Sequence, residues 1–206
     1  MLSTTTWKKM LISAAEVLKE NKIYLCELDS IVGDGDHGIT IDRIADCMKK
    51  RALEENENDS IKSINEDLST LCMNVNGGSA GPLWGTIFEG MAEGIDYKEE
   101  LKIEEIKDMF NEARENLSLI STAKIGQKTL VDSLYPAIDA IYNIQSNDII
   151  DIFRVGYEKA VEGAENTKTY IAKFGRAKSI GERSLGHMDP GAVSISLMFK
   201  GLYNAL

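Results

Sequence analysis

Little in this chain points to a membrane, a nucleic acid or thiol chemistry. Its three cysteines, Cys26, Cys47 and Cys72, are odd in number, far apart and without a Cys-x-x-Cys pair. That spacing argues against zinc or redox chemistry and leaves each as a small buried hydrophobe. No apolar run approaches the length of a membrane span, and Lys8 and Lys9 are followed by no long apolar segment. The expectation is a cytoplasmic protein. Basic residues are also short: 23 Lys and Arg stand against 33 Asp and Glu, a formal net charge of -10. Without a basic stripe, general nucleic-acid binding is excluded, so a polyanionic ligand needs a local site. Arg176, Lys178 and Arg183 are candidate cations for one.

What is present is a pattern of helices. A length of 206 residues and a hydrophobic fraction of 43% fit one folded domain over residues 1–206 and argue against disorder, with the linker Glu54 to Ser60 the one place that leaves room for it. Apolar residues recur at helical spacing in eight stretches, which begin with Trp7, Leu11 and Leu18, with Ile41, Ile44 and Met48, and with Ile64, Leu68 and Cys72. A fourth follows Pro82 to about Gly94, where the proline suits a first helical turn. The rest carry Ile106 to Leu117, Leu134 to Tyr142, Ile149 to Ala164, and Val193 to Leu202 after Pro190. With only three prolines and no convincing strand, the expected fold is all-α, an antiparallel bundle or barrel of eight helices. The short run Ile23 to Leu25 remains ambiguous between helix and strand.

Four glycine-rich breaks, around residues 33–38, 77–81, 126 and 186–191, each precede a helix start. In an up-and-down bundle, loops that lead into alternate helices gather at one end. Helix N-termini there present unpaired N–H groups and positive dipole ends, which favour phosphate.

The first break is the most chemically loaded. Asp29, Asp34 and Asp36 fall within one short stretch punctuated by Gly33, Gly35 and Gly38. Like charges packed so closely cost free energy unless a cation sits among them, and hard ions such as Mg²⁺ prefer carboxylate oxygens. A plain solvated turn is the competing reading. A calcium loop of the EF-hand type is set aside, because Ile39 stands where it needs glycine and Ala45 where it needs glutamate. His37 either donates to a transferring oxygen or caps the next helix.

The other breaks are weaker taken singly. Gly77-Gly78-Ser79-Ala80-Gly81-Pro82 suits either a phosphate cradle or close helix packing, and it lacks the lysine of a P-loop. Gly126-Gln127-Lys128-Thr129 offers Thr129 as a cap or a ligand contact. The stretch from Gly175 to Gly191 is a long loop, of a length that is usually functional, in which His187 is either a ligand or a satisfied loop residue.

Taken together, these motifs resemble the nucleotide-binding L subunit of dihydroxyacetone kinases over nearly the whole chain. The carriers are Gly33-Asp34-Gly35-Asp36-His37-Gly38, Gly77 to Pro82, Gly126 to Thr129, Gly175-Arg176-Ala177, and Gly181 to Ser184 through Asp189-Pro190-Gly191. The resemblance implies an eight-helix antiparallel barrel with ADP or ATP at one end, held through two Mg²⁺ ions by Asp29, Asp34 and Asp36. It carries catalytic roles to those aspartates and His37. Nucleotide contacts carry over to His37, Gly38, Thr40, Gly78, Ser79, Gly126, Thr129, Leu130, Arg176, Asp189, Pro190 and Gly191.

The resemblance also implies partners. A separate K-type subunit holds the ketose, and a phosphocarrier protein of the phosphotransferase system rephosphorylates resident ADP. A homodimer is left open. Three departures bear on the substrate: Thr40 follows Gly38-Ile39 where asparagine is common, Gln127 replaces an aspartate, and Ser79-Ala80 inverts the usual order. The competing readings are an ATP-dependent kinase subunit for another short sugar, a nucleotide-dependent regulatory module acting by protein contact, and a Mg²⁺- or Ca²⁺-binding helical protein without catalysis.

Overall fold

The computed structural model describes every residue, Met1–Leu206. Nine α-helices account for most of the chain: α1 (Thr4–Glu20), α2 (Lys22–Val32), α3 (His37–Leu53), α4 (Ile61–Met73), α5 (Ala80–Glu93), α6 (Ile103–Ile120), α7 (Val131–Asn143), α8 (Ile149–Asn166) and α9 (Pro190–Asn204). Two short strands, β1 (Leu2–Ser3) and β2 (Glu100–Leu101), pair antiparallel with Leu2 opposite Leu101. The segments Thr167–Thr169 and Arg176–Ser184 are 3₁₀ turns in the long connection before α9.

Eight of the helices close a ring. Each packs on the next in the order α1, α3, α4, α5, α6, α7, α8, α9, and α9 returns to α1. This is the expected eight-helix barrel. The ninth, α2, lies outside the ring against α3 and α9 and takes in the ambiguous run Ile23 to Leu25. It buries only Leu25 and Val32, whereas Ile23 is exposed, so its apolar stripe is too thin to give a helical period. Asn21 both ends α1 and precedes α2, with its N–H on the Val17 and Leu18 carbonyls.

One core of 47 buried residues fills the ring. Phe110 of α6 is its centre, with ring centroids 5.8 Å from Phe153 of α8 and 5.6 Å from Phe199 of α9. Trp7 donates its indole N–H to the buried Asn65 at 3.0 Å, which ties α1 to α4 without an orphaned polar group. At two seams the backbones touch: a Cβ on Gly201 would lie 2.3 Å from the Ala14 Cα, and one on Gly90 would lie 2.5 Å from the Ala113 Cα. Only glycine permits helices to come that close.

The linker from Glu54 to Ser60, the one place where the sequence leaves room for disorder, is tied down at Asp59. Arg51 grips Asp59 in a fork, with Nη2 to Oδ1 at 2.5 Å and Nη1 to Oδ2 at 3.2 Å, and Lys8 reaches the same carboxylate at 2.5 Å. Burial pushes the Asp59 carboxyl up, but Arg51 and Lys8 outweigh it and hold the group below the usual carboxylate range. Of the cysteines only Cys72 is buried, while Cys26 and Cys47 are half-buried. No helix is long and apolar enough to cross a membrane.

Candidate functional site

The loops that precede α3, α5, α7 and α9 converge on one cleft of about 740 Å³. They lead into alternate helices of the ring, as up-and-down connectivity requires. Eleven of its 29 lining residues are hydrophobic, among them Leu83, Leu117, Ile120 and Phe174, so its lining is part apolar and part polar. That size and mixture suit a small molecule with a flat apolar part and a charged part.

Asp29 organises the polar part. It sits on the last turn of α2, and its Oδ2 accepts from the backbone N–H of Asp36 at 3.0 Å and of His37 at 3.2 Å. One carboxylate thus joins the end of α2 to the start of α3. Gly33 closes the turn, and there a Cβ would stand 2.2 Å from the Asp29 Oδ1. Asp36 holds the N-cap position of α3 but makes no capping bond with its side chain, which leaves that carboxylate free. Asp29, Asp34 and Asp36 each place one oxygen within 4.8 Å of the others. A hard divalent cation fits such an all-oxygen set. Its ligands come from a helix end and a four-residue connection, which is not the layout of an EF-hand loop.

Arg176 arrives from the connection before α9 and pairs with Asp34. His37 lies between α3 and α9: its Nε2 is 3.2 Å from the Ser194 hydroxyl, and its ring also meets the Pro190 carbonyl. Burial lowers its pKa to about 4, with the Asp29 charge pulling the other way, so the imidazole is neutral near pH 7. The helix-cap alternative for its side chain is not what the fold adopts.

In the second loop Gly77 carries φ 149° and packs on buried Thr40, whose Oγ1 would be 2.0 Å from an added Cβ. Ser79 N-caps α5 without using its hydroxyl. In the third loop the Thr129 Oγ1 accepts from the Val131 N–H at 3.3 Å, a local turn one residue ahead of Leu130, the uncapped N-cap position of α7, and Thr129 and Leu130 both line the cleft. In the fourth, Asp189 caps α9 by accepting from the Ala192 N–H at 2.7 Å, with Pro190 in the first turn. Desolvation pushes the Asp189 carboxyl up to about 7, against hydrogen bonds that favour its charge.

The sequence motifs therefore meet, with exceptions. Asp29, Asp34, Asp36, His37, Thr40, Gly78, Ser79, Thr129, Leu130, Arg176, Asp189, Pro190 and Gly191 all line the cleft. Gly38 and Gly126 do not. Gly38 lets α3 approach α2, since a Cβ there would lie 2.0 Å from the Lys22 carbonyl oxygen, and Gly126 turns at φ 93° to give its N–H to Asp132. Lys178, Arg183 and His187 are likewise away from the lining. Two buried residues in or just after the Gly126–Thr129 motif have a role that the sequence does not assign. Asp132 accepts from the N–H groups of Gly126 and Thr129, and Lys128 lines the cleft with a side chain only 1% exposed. Nothing in their spacing marks either one.

Comparison with known proteins gives the same location in fold space. The barrel superposes on the crystal structure of the dihydroxyacetone kinase of C. freundii with a TM-score of 0.71 and 23% identity, covering 97% of this chain but 34% of that one. A second structure of that kinase, in complex with AMP-PNP and Mg²⁺, matches with the same TM-score at 22% identity. Among curated proteins, the ADP-binding subunit DhaL of PEP-dependent dihydroxyacetone kinase 1 from Listeria innocua is 33% identical over 91% of this chain and 89% of its own length. The corresponding subunit of the Lactococcus lactis PTS-dependent kinase is 32% identical over 98% and 97%. The model of the DAK2 domain matches residues 31–204. On the strength of these matches, the chain belongs to the DAK2 domain family, alongside the L-type subunits of dihydroxyacetone kinases.

Proposed function

We propose that this chain, as a single domain over residues 1–206, is the nucleotide-binding subunit of a kinase that phosphorylates dihydroxyacetone or a similar short ketose. The observation that carries the reading is the trio Asp29, Asp34 and Asp36, with oxygens within 4.8 Å of one another at a cleft where four loops meet. Three carboxylates at about −3 and a nucleotide triphosphate at about −4 repel unless divalent cations lie between them. Two Mg²⁺ ions would be held by these aspartates and would supply charge neutralisation at the transferring phosphoryl group.

The chain's own residues position the rest. The N-termini of α5 and α9 present N–H groups and positive dipole ends to the cleft, which suits phosphate oxygens. Arg176 supplies a fork of donors for the same oxygens. The apolar side chains of Leu83, Leu117, Ile120 and Phe174 in the lining suit a nucleobase. Bound nucleotide would supply the terminal phosphoryl group, which would pass to a ketose hydroxyl oxygen and leave ADP, with the hydroxyl proton released to water. Neutral His37 has a single N–H, held by the Pro190 carbonyl, so donation to a transferring oxygen would require the ring to exchange that partner for the phosphoryl group.

The acceptor would come from a separate K-type subunit, and resident ADP would be rephosphorylated by a phosphocarrier of the phosphotransferase system. The names of the relatives support this division, since they are subunits of PEP- or PTS-dependent kinases. A second reading is a subunit acting on another short ketose. It is favoured by L-erythrulose kinase of Pectobacterium atrosepticum, 26% identical over 90% of this chain and 32% of that protein.

Native mass spectrometry of the purified protein tests the first step, with bound ADP and Mg²⁺ the expected result. Mixing the chain with a K-type subunit, a phosphate donor and either dihydroxyacetone or erythrulose tests the second. Ketose phosphate is expected, and unmodified sugar with both ketoses would overturn the kinase reading.

A further inference from the structure

Lys128 is the one non-glycine residue with a left-handed backbone, at φ 60°, and it is a lysine with 1% of its surface exposed. Both conditions cost free energy, so something nearby must favour them. Its ammonium donates to the Thr167 carbonyl at 2.6 Å and to the His187 carbonyl, from two ends of the connection between α8 and α9. Thr167 is fully buried: its hydroxyl donates to the Ala164 carbonyl at 2.5 Å and accepts from the Asp189 N–H at 2.9 Å. A backbone bond from the Lys173 N–H to the Gln127 carbonyl, at 3.1 Å, joins the same two loops. Asp189, Pro190 and Gly191 line the cleft together with Thr129 and Leu130, which follow Lys128 directly, and the two segments touch: a Cβ on Gly191 would lie 3.4 Å from the Leu130 Cβ.

We propose that Lys128 is a positioning residue for the nucleotide: its ammonium pins the segment from Thr167 to Asp189 onto the turn before α7 and so fixes Asp189, Pro190 and Gly191 against Thr129 and Leu130 where they line the cleft. The inference rests on the nucleotide reading above. A compact ammonium with three donors suits two carbonyl oxygens that converge from segments remote in sequence. The charge of Asp189 and Asp132 nearby favours the cation, although burial lowers the Lys128 pKa. A lysine that served only to satisfy buried carbonyls would affect folding without affecting the affinity of the folded protein.

The experiment measures Mg·ADP affinity by calorimetry on wild type, Lys128→Met, Lys128→Gly and Lys128→Arg, each well below its melting temperature and checked for helix content. Lys128→Met is expected to bind about tenfold more weakly. Lys128→Gly relieves the backbone but lacks the ammonium, so it should be as weak, and it carries the comparison if the methionine variant does not fold. Lys128→Arg keeps a cation with several donors and should recover binding to within about threefold of wild type. Wild-type affinity in the Met or Gly variant, or an Arg variant as weak as Met, overturns the proposal while the nucleotide reading stands. A wild-type protein that does not bind Mg·ADP overturns both.

Discussion

The guanidinium of Arg176 pairs with the carboxylate of Asp34, which joins the connection before α9 to the loop before α3 across the mouth of the cleft. Both partners are exposed, so the pair alone adds little stability. Its interest is positional: it brings the cation of one loop onto the acidic trio of another.

Arg176→Ala should therefore weaken Mg·ADP binding more than Arg183→Ala, because Arg183 is exposed and does not line the cleft. A loss of about tenfold for the first against less than about twofold for the second is the expected pattern. Equal losses in a calorimetric titration would show that Arg176 has no special place.

Asp36→Asn should abolish nucleotide retention while leaving the helices intact. Its carboxylate makes no capping bond, so the fold does not depend on it, whereas a Mg²⁺ bridge would. Circular dichroism checks the fold, and ADP carried through dialysis checks the site. Undiminished ADP in the variant contradicts the metal bridge.

Asp189 should contribute a fall in stability as pH rises from about 4 to about 7, set against the rise that His37, with a folded value of about 4 below its ordinary 6.5, contributes up to about 6.5. Asp189 titrates near 7 in the folded chain against an ordinary value of 3.8, so the folded state binds its proton more tightly. Its contribution is greatest below the unfolded value and is lost as pH rises through the folded one. Asp189→Asn keeps an oxygen for the Ala192 N–H and should remove that fall, read from urea midpoints at several pH values without ligand. An unchanged slope would refute the assignment.

Asp59→Asn should cost about 1–3 kcal/mol, because it breaks the fork on Arg51 while Asp67 still holds the guanidinium Nε at 2.6 Å. The pair follows the C-terminal end of α3, opposite the end that carries the acidic trio. Melting should therefore shift while the Mg·ADP affinity of the folded protein holds. A matching loss of affinity would mean that the two ends are coupled.

How much of this was legible in the sequence depended on what each residue had to signal. Trp7, Leu11 and Leu18 repeat at helical spacing because one face of α1 meets the core, and the same holds around the ring. Helix α2 was left ambiguous because it packs outside the ring and buries only Leu25 and Val32. Gly38 and Gly126 sit in motifs that look alike to Gly77 and Gly78, yet the first makes room for a neighbouring helix and the second for a turn. Glycine spelling cannot separate those uses, since each requires only the absence of a side chain.

The sequence by itself determined the helical periods, the glycine breaks and the acidic loop, because these depend on neighbours a few residues apart. Only the tertiary structure decided that Asp29 would reach Asp34 and Asp36 from a helix end, that Arg176 would meet Asp34, and that Lys128 would be buried between carbonyls 39 and 59 residues away. Those meetings follow from closure of the ring, which brings alternate helix starts to one end, and no local pattern of residues encodes a distance across it.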